Sequence, residues 1–111
     1  MVERQKAGQK GVNVSAEVHE ILISLATGQR TPRPDLPSIV PSGSLAAYTR
    51  DVLATSADVG HIRMTTRPKR VWVHADDADV KRWTAAAGPM PVALWMAAVL
   101  SNWAQQHNVG T

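Results

Sequence analysis

Residues 11–15 read Gly-Val-Asn-Val-Ser, and residues 70–74 read Arg-Val-Trp-Val-His. In both stretches valine alternates with small, polar or aromatic residues, which is the period-two pattern of a short strand with one covered face. The two valines of the first stretch occupy the same places as the two valines of the second. The sequence therefore predicts two matching strands that turn their valines toward one core.

A pair of helices is predicted after the first strand. Ser15 is a candidate N-cap, and the apolar residues after it are spaced as on one face of a helix that Gly28 can end. A loop over residues 29–43 contains four prolines, which disfavour helical backbone angles. A second helix then runs from about Leu45 to Thr55, where apolar residues again line one face.

A second pair of helices is predicted after the second strand. Asp76 can cap the first of them, and Gly88 with Pro89 can end it. The last helix runs from about Pro91 to Gln105, with one apolar stripe. Three tryptophans fall at helical spacing and are predicted to be core residues: Trp83, Trp95 and Trp103.

The order strand-helix-helix thus occurs twice, and it predicts a mainly α fold with one two-stranded antiparallel ribbon. The predicted domain covers residues 11–105 and consists of two units, 11–55 and 70–105, joined by a basic connector at 56–69. Residues 1–10 are predicted to form a flexible basic arm, and residues 106–111 a tail.

Length and composition restrict the class of protein. A chain of 111 residues has the capacity for one small domain, and the absence of cysteine excludes disulfides, thiolate zinc sites and a cysteine nucleophile. The longest apolar stretch, residues 92–100, is well below the roughly 20 residues that span a bilayer, and the polar first ten residues lack the apolar core of a signal peptide. We therefore expect a cytoplasmic protein without membrane association.

No pattern in the sequence indicates catalysis. The four histidines have no metal-binding spacing, and no nucleophile elbow or glycine-rich phosphate loop is present. We expect no enzyme activity, no metal and no cofactor. The net charge of +3 permits an anionic partner such as nucleic acid but does not require one.

If the two strands pair within the chain, the valines share an inner face and the alternating residues form an outer face. Such a two-stranded ribbon is narrow enough to enter the major groove of DNA. The alternative is pairing between chains, which would give an obligate dimer of tandem units.

This order and spacing over about residues 10–105 resemble the ribbon-helix-helix family of Arc/MetJ-type DNA-binding proteins. The resemblance is to the single-chain form with two fused copies, as in TraY-like conjugation accessory proteins. It implies a tandem pseudo-dimer that binds double-stranded DNA and associates with further copies side by side on DNA. It also implies that outward side chains of the strands contact base edges: Gly11, Asn13, Ser15, Arg70, Trp72 and His74.

Phosphate contacts are implied at the start of the second helix of each unit, where backbone N–H groups point outward. These positions are Ser42, Gly43, Ser44 and Leu45 in the first unit, and Met90 and Val92 in the second. Three basic residues of the arm and connector are further candidates for phosphate contact: Lys10, Arg67 and Lys69.

The chemistry of these positions is uneven. Arg70 can pair with guanine O6 and N7, and Asn13 with adenine N6 and N7. Gly11 has no side chain to contact a base, and Trp72 departs from the polar residue usual in the family, although its ring can cover a thymine methyl group. Pro91 lacks the N–H that a phosphate contact needs. Because the two half-ribbons differ, the expected target is asymmetric.

We therefore expect a sequence-specific double-stranded DNA-binding protein, either a transcriptional repressor or a plasmid or phage DNA-processing accessory factor. The alternative is a protein-interaction module, such as an antitoxin or a phage-encoded inhibitor of a host protein. In that case the same fold presents Trp72 or the loop 29–43 to a protein partner.

Overall fold

The computed structural model describes residues 9–31, 35, 39–56 and 68–107. This part of the chain is mainly helical, with one two-stranded antiparallel sheet and four helices, which confirms the predicted fold class at that level. The elements in chain order are β1 (Gln9–Ser15), α1 (Ala16–Ala26), α2 (Leu45–Thr55), β2 (Pro68–His74), α3 (Asp77–Ala87) and α4 (Val92–Gln106).

The two strands form an antiparallel ribbon within the single chain. Val12 lies opposite Val71, so the inner faces of the strands meet at the middle of the ribbon. All four valines of the predicted inner face are at most 4% exposed. Both strands begin earlier than the sequence predicts, at Gln9 and at Pro68.

Helix α4 lies at the centre of the helical layer. It contacts β1 and each of the other three helices, and every residue from Trp95 to Ser101 is buried. The stripe predicted for this helix faces the core, since Trp95, Val99 and Trp103 are buried and the half-buried Val92 packs against the core. Burial extends beyond the stripe because a helix that is covered on nearly all sides buries residues around its whole circumference. The three tryptophans predicted to be core residues are all buried.

Three of the four helices begin with a side-chain cap, and the caps explain where they start. Ser15 accepts a hydrogen bond from the N–H of Val18, and Ser44 accepts one from Ala47. At α3 the cap is reciprocal, because Asp76 accepts from the N–H of Asp79 and the Asp79 carboxylate accepts from the N–H of Asp76. Such a capping box satisfies two backbone donors at once.

Asp79 also joins α3 to α2. Its buried carboxylate accepts hydrogen bonds from the guanidinium groups of Arg50, at 3.0 Å, and Arg82. Burial by itself raises the pKa of Asp79, but the backbone N–H of Asp76 and the charges of Arg50 and Arg82 outweigh it and hold the pKa below its usual value. The carboxylate is therefore a charged structural group.

A second link joins α2 to α4. The indole Nε1 of Trp103 donates a hydrogen bond of 3.0 Å to the hydroxyl oxygen of Tyr48, and both side chains are buried. Burial raises the pKa of the Tyr48 hydroxyl above its usual value, against a smaller lowering by the bond from Trp103. This polar contact fixes the rotation of the two helices about each other.

Within the described residues, no single helix is long and apolar enough to cross a membrane. Taken together, α3 and α4 reach the length and apolar composition of a span, with a bend of 82° at the break between them.

Candidate nucleic-acid interface

The outer face of the ribbon is formed by the residues that alternate with the buried valines, because successive side chains of a strand point to opposite faces. All six predicted base-reading residues occupy outward positions of the register. Four outward pairs result: Gln9 with His74, Gly11 with Trp72, Asn13 with Arg70, and Ser15 with Pro68.

Arg70 and Trp72 form the largest feature on this face. The Arg70 guanidinium carbon lies 5.5 Å from the centroid of the Trp72 ring, within the range of a cation–π contact. Trp72 is 51% exposed and Arg70 is exposed as well. No carboxylate of the described residues forms a salt bridge with Arg70, so its donors can meet an external acceptor.

Gly11 contributes space rather than a side chain. A Cβ atom at this position would lie 2.8 Å from Nη1 of Arg70 and 3.2 Å from Cζ3 of Trp72. Such distances are closer than van der Waals contact allows. The Arg70 side chain therefore crosses the ribbon diagonally and occupies the room that the glycine leaves.

The smaller polar residues differ in their freedom to bind a ligand. Asn13 and His74 are exposed on the outer face. Ser15 is half-buried, and its oxygen already accepts the capping bond from Val18. Ser15 thus has a structural task, which leaves its hydroxyl proton and one lone pair for a base.

Gln9 was missed by the sequence prediction, which placed it in the basic arm. It extends the outer face by one residue opposite His74. The next inward position is Lys10 rather than a valine, so the alternation of apolar residues that marks the strand begins only at Val12. No sequence signal separates Gln9 from the arm.

Lys10 and Lys69 belong to the strands and not to flanking segments. Lys10 lies opposite Val73, and Lys69 lies opposite Val14, so both occupy inward positions near the two ends of the ribbon. Lys10 is half-buried and Lys69 is exposed. They flank the outer face instead of forming part of it.

Lys69 borders a surface cleft of about 410 Å³ against α1, together with His19 and Glu20. Partial burial lowers the pKa of His19, and the nearby charge of Lys69 lowers it further. The imidazole is therefore neutral at neutral pH, and the positive charge at this end of the ribbon comes from Lys69.

Several backbone N–H groups at the start of α2 donate to acceptors within the chain. The N–H of Gly43 donates to the carbonyl of Ala26 at 2.8 Å, and the N–H of Ser44 donates to the Ser42 hydroxyl at 3.3 Å. The Ser44 hydroxyl in turn caps the helix. Of the four predicted phosphate positions in this unit, Ser42 and Leu45 have no such partner at the N–H among the hydrogen bonds of the described residues.

The start of α4 is open by comparison. The N–H of Met90 donates to the carbonyl of Ala87, and Pro91 precedes the helix without a side-chain cap. The N–H groups of the first turn, beginning at the predicted contact residue Val92, therefore point outward without a capping acceptor. Such donors suit an anion.

Charge is distributed unevenly over the described surface. The strands carry three basic residues, Lys10, Lys69 and Arg70, and neither strand contains an acidic residue. Acidic residues cluster instead at the start of α3, at Asp76, Asp77 and Asp79. The two strands are consequently free of negatively charged side chains.

Several predicted regions lie outside the described residues. These are the contact residue Arg67 and the segments 1–8, 32–34, 36–38, 57–67 and 108–111. In the part of the chain that is described, no cluster of three or more His, Asp or Glu side chains is placed to hold a metal ion.

Comparison of the chain with protein-family models, curated proteins and solved structures gave no match.

Proposed function

We propose that this protein binds double-stranded DNA in a sequence-specific manner by inserting its ribbon into the major groove. The observation that carries the proposal is the outer face of the ribbon, where exposed Arg70, Asn13 and His74 stand without an acidic neighbour on either strand. Arginine and asparagine are the side chains that pair bidentately with guanine and adenine in that groove. A ribbon of two strands has the width that the groove admits.

The proposed organisation is a tandem ribbon-helix-helix pseudo-dimer. It is supported by the same order of strand, helix and helix in each half of the chain and by the antiparallel pairing of the two strands. The uncapped first turn of α4 supports a phosphate contact at its backbone N–H groups. Further copies bound side by side on DNA would extend the contact.

The proposed biological role is that of a transcriptional repressor or of a plasmid or phage DNA-processing accessory factor. Both roles need a small protein that finds one DNA site and carries out no chemistry there. The resemblance of the sequence pattern to Arc/MetJ-type proteins supports this choice.

A protein-interaction module is the second candidate function. It is favoured by Trp72, which is 51% exposed at the centre of the ribbon, and by Val40 in the long loop, which is 83% exposed. Exposed tryptophan is typical of residues that contribute most to protein–protein binding. An antitoxin or a phage-encoded inhibitor of a host protein would use the fold in this way.

Selection of bound fragments from random duplex DNA, followed by titration of the selected duplex at several salt concentrations, separates the two functions. DNA binding is expected to yield a consensus and an affinity that falls with salt, with a logarithmic slope of about −0.9 for each phosphate contacted. Failure to select any consensus, or binding that does not respond to salt, would contradict the proposal.

Two matched variants localise the contact, because each removes one exposed positive charge. Arg70→Ala is expected to relax base preference at one position of the consensus, with a loss of about 1 to 3 kcal/mol. Lys81→Ala on α3 lies away from the ribbon and is expected to leave the preference unchanged. Equal behaviour of the two variants would place the contact elsewhere on the molecule.

A further inference from the structure

The side chains of Arg70 and Trp72 occupy the space above Gly11 and contact each other. Arg70 leaves its own cross-strand partner, Asn13, and reaches across to the Trp72 ring. Its Nη1 and Cδ atoms lie 2.8 and 3.3 Å from where a Cβ of residue 11 would be. Any side chain at position 11 would therefore push the guanidinium away from the ring.

This arrangement shortens the distance between the two groups that would contact DNA. Outward residues two apart on a strand are separated by roughly 6.6 Å, whereas stacked base pairs are about 3.4 Å apart. Because Arg70 leans over Trp72, the guanidinium centre and the ring centroid are 5.5 Å apart, which reduces the excess over one base-pair step from about 3.2 Å to about 2.1 Å. The guanidinium nitrogens and the ring carbons extend beyond these two centres, so one group can meet one base pair while the other meets the next.

The two groups select different base features. The guanidinium fork matches O6 and N7 of guanine, and an apolar ring surface matches the C5-methyl group that a major groove displays at thymine. A guanidinium that already rests on an aromatic ring also loses less conformational freedom on binding than a free arginine.

We propose that Arg70 and Trp72, seated on Gly11, act as one unit that recognises a guanine next to a pyrimidine bearing a 5-methyl group. This inference rests on the proposed DNA binding and makes Gly11 a residue that determines specificity by positioning the other two. It assigns most of the base recognition to β2 and only a supporting contact to Asn13 on β1. The same chemistry would accept 5-methylcytosine in place of thymine.

The test uses the full-length protein and its selected duplex, with the thymine beside the guanine replaced by deoxyuridine. This change removes one methyl group and nothing else. The wild-type protein is expected to lose affinity about fourfold, the factor that corresponds to one buried methyl group. Replacing the thymine by 5-methylcytosine, with guanine in place of the paired adenine, is expected to bind better than the unmethylated cytosine duplex.

Gly11→Ala tests the positioning role. The atom that its Cβ would meet first is the far end of a flexible arginine, so the variant is expected to fold, which circular dichroism and the thermal midpoint check. The variant should lose the thymine-over-uracil preference and the guanine preference together. Asn13→Ala, the matched change directly opposite Arg70, should weaken binding yet keep the methyl preference.

The outcomes distinguish two kinds of failure. If the wild-type protein selects a consensus but does not distinguish thymine from uracil, or if Gly11→Ala keeps both preferences, the paired unit is wrong while DNA binding stands. If the wild-type protein selects no duplex at all, the proposed function fails and this inference fails with it.

Discussion

The two strands of the ribbon are alike on their inner face and unlike on their outer face. Both bury two valines, yet β1 presents small or neutral residues outward, whereas β2 presents Arg70, Trp72 and His74. The enclosed inner positions are all valine because both strands cover the same core there. The outer positions are free of that requirement, so in the proposed DNA complex the first strand supplies support while the second supplies most of the contacts to bases.

The helix pairs differ in a corresponding way. In the first half a long connection from Thr27 to Ser44 leads to a helix capped by serine, and in the second half a tight turn from Gly88 to Pro91 leads to an uncapped helix. The positive φ of 63° at Gly88 permits that tight turn. The second half thus leaves uncapped the third N–H of its helix, whereas Ser44 accepts a hydrogen bond from the equivalent N–H of Ala47 in the first half.

The largest expected effect comes from replacing one of the buried valines that the two strands share. Val73→Asp would bury a carboxylate at a fully enclosed position, which costs more than about 4 to 5 kcal/mol and is expected to unfold the protein. Trp72→Asp, one residue away on the outer face, is expected to leave the fold intact. Circular dichroism with urea titration measures both, and a folded Val73→Asp variant would contradict the assigned strand faces.

The next effect concerns the capping box, which occurs in α3 but not in α1, where the equivalent residue is Val18. Asp79→Asn is expected to lower the free energy of unfolding by about 1.5 to 3 kcal/mol at neutral pH, because hydrogen bonds to a charged partner are lost. Asp77→Asn, an exposed change in the same turn, should cost about 0.3 to 1 kcal/mol.

The Asp79 effect also has a defined pH dependence. Its pKa in the folded protein is lower than the unfolded value of about 3.9, so its contribution to stability is complete above that pH and is lost as the pH falls below it. The difference between wild type and Asp79→Asn should therefore shrink in acid. A difference that grows as the pH falls would show that the carboxylate is not held in its charged form.

The contact between the two halves provides an intermediate effect. Tyr48→Phe leaves the buried Nε1 of Trp103 without its acceptor and is expected to cost about 1 to 3 kcal/mol. A double-mutant cycle with Trp103→Phe, measured by urea unfolding, should give a coupling energy of at least about 0.5 kcal/mol. Strict additivity of the two changes would mean that the hydrogen bond does not join α2 to α4.

The smallest effects are expected from removing the N-cap of α2 and adding one to α4. Ser44→Ala removes a cap and is expected to destabilise the protein by about 1 kcal/mol. Pro91→Ser adds a potential cap at an extended backbone position, with φ of −56° and ψ of 138°, and is expected to stabilise it by less than about 1 kcal/mol. If both changes destabilise the protein equally in thermal unfolding, the contrast between the two helix starts is not real.

Much of the fold was predictable because periodicity and caps are local signals. The bounds of α2 and the caps of α1 and α3 agree with the sequence pattern. The apolar stretch 92–100 indicates a buried helix, but the elements that cover α4 were not predictable from it. Nor were the starts of the strands, because Lys10 and Lys69 occupy inward positions where the pattern expects apolar residues.

The candidate site was predictable in its positions but not in its geometry. Alternation alone places Arg70, Trp72 and Gly11 on one face. The diagonal crossing of Arg70 over Gly11 depends on the register between strands distant in sequence, which no local pattern contains. For the same reason the sequence pattern places Gly11 on the outer face but does not indicate that it makes room for Arg70.

In the proposed complex the outer face of the ribbon lies in the major groove with Arg70 against guanine. Methylation of the selected duplex by dimethyl sulfate tests it directly, because this reagent attacks guanine N7 in the major groove and adenine N3 in the minor groove. The wild-type protein is expected to protect one guanine N7, and Arg70→Ala is expected to lose this protection. Protection confined to adenine N3, or guanine protection that persists in Arg70→Ala, would contradict it.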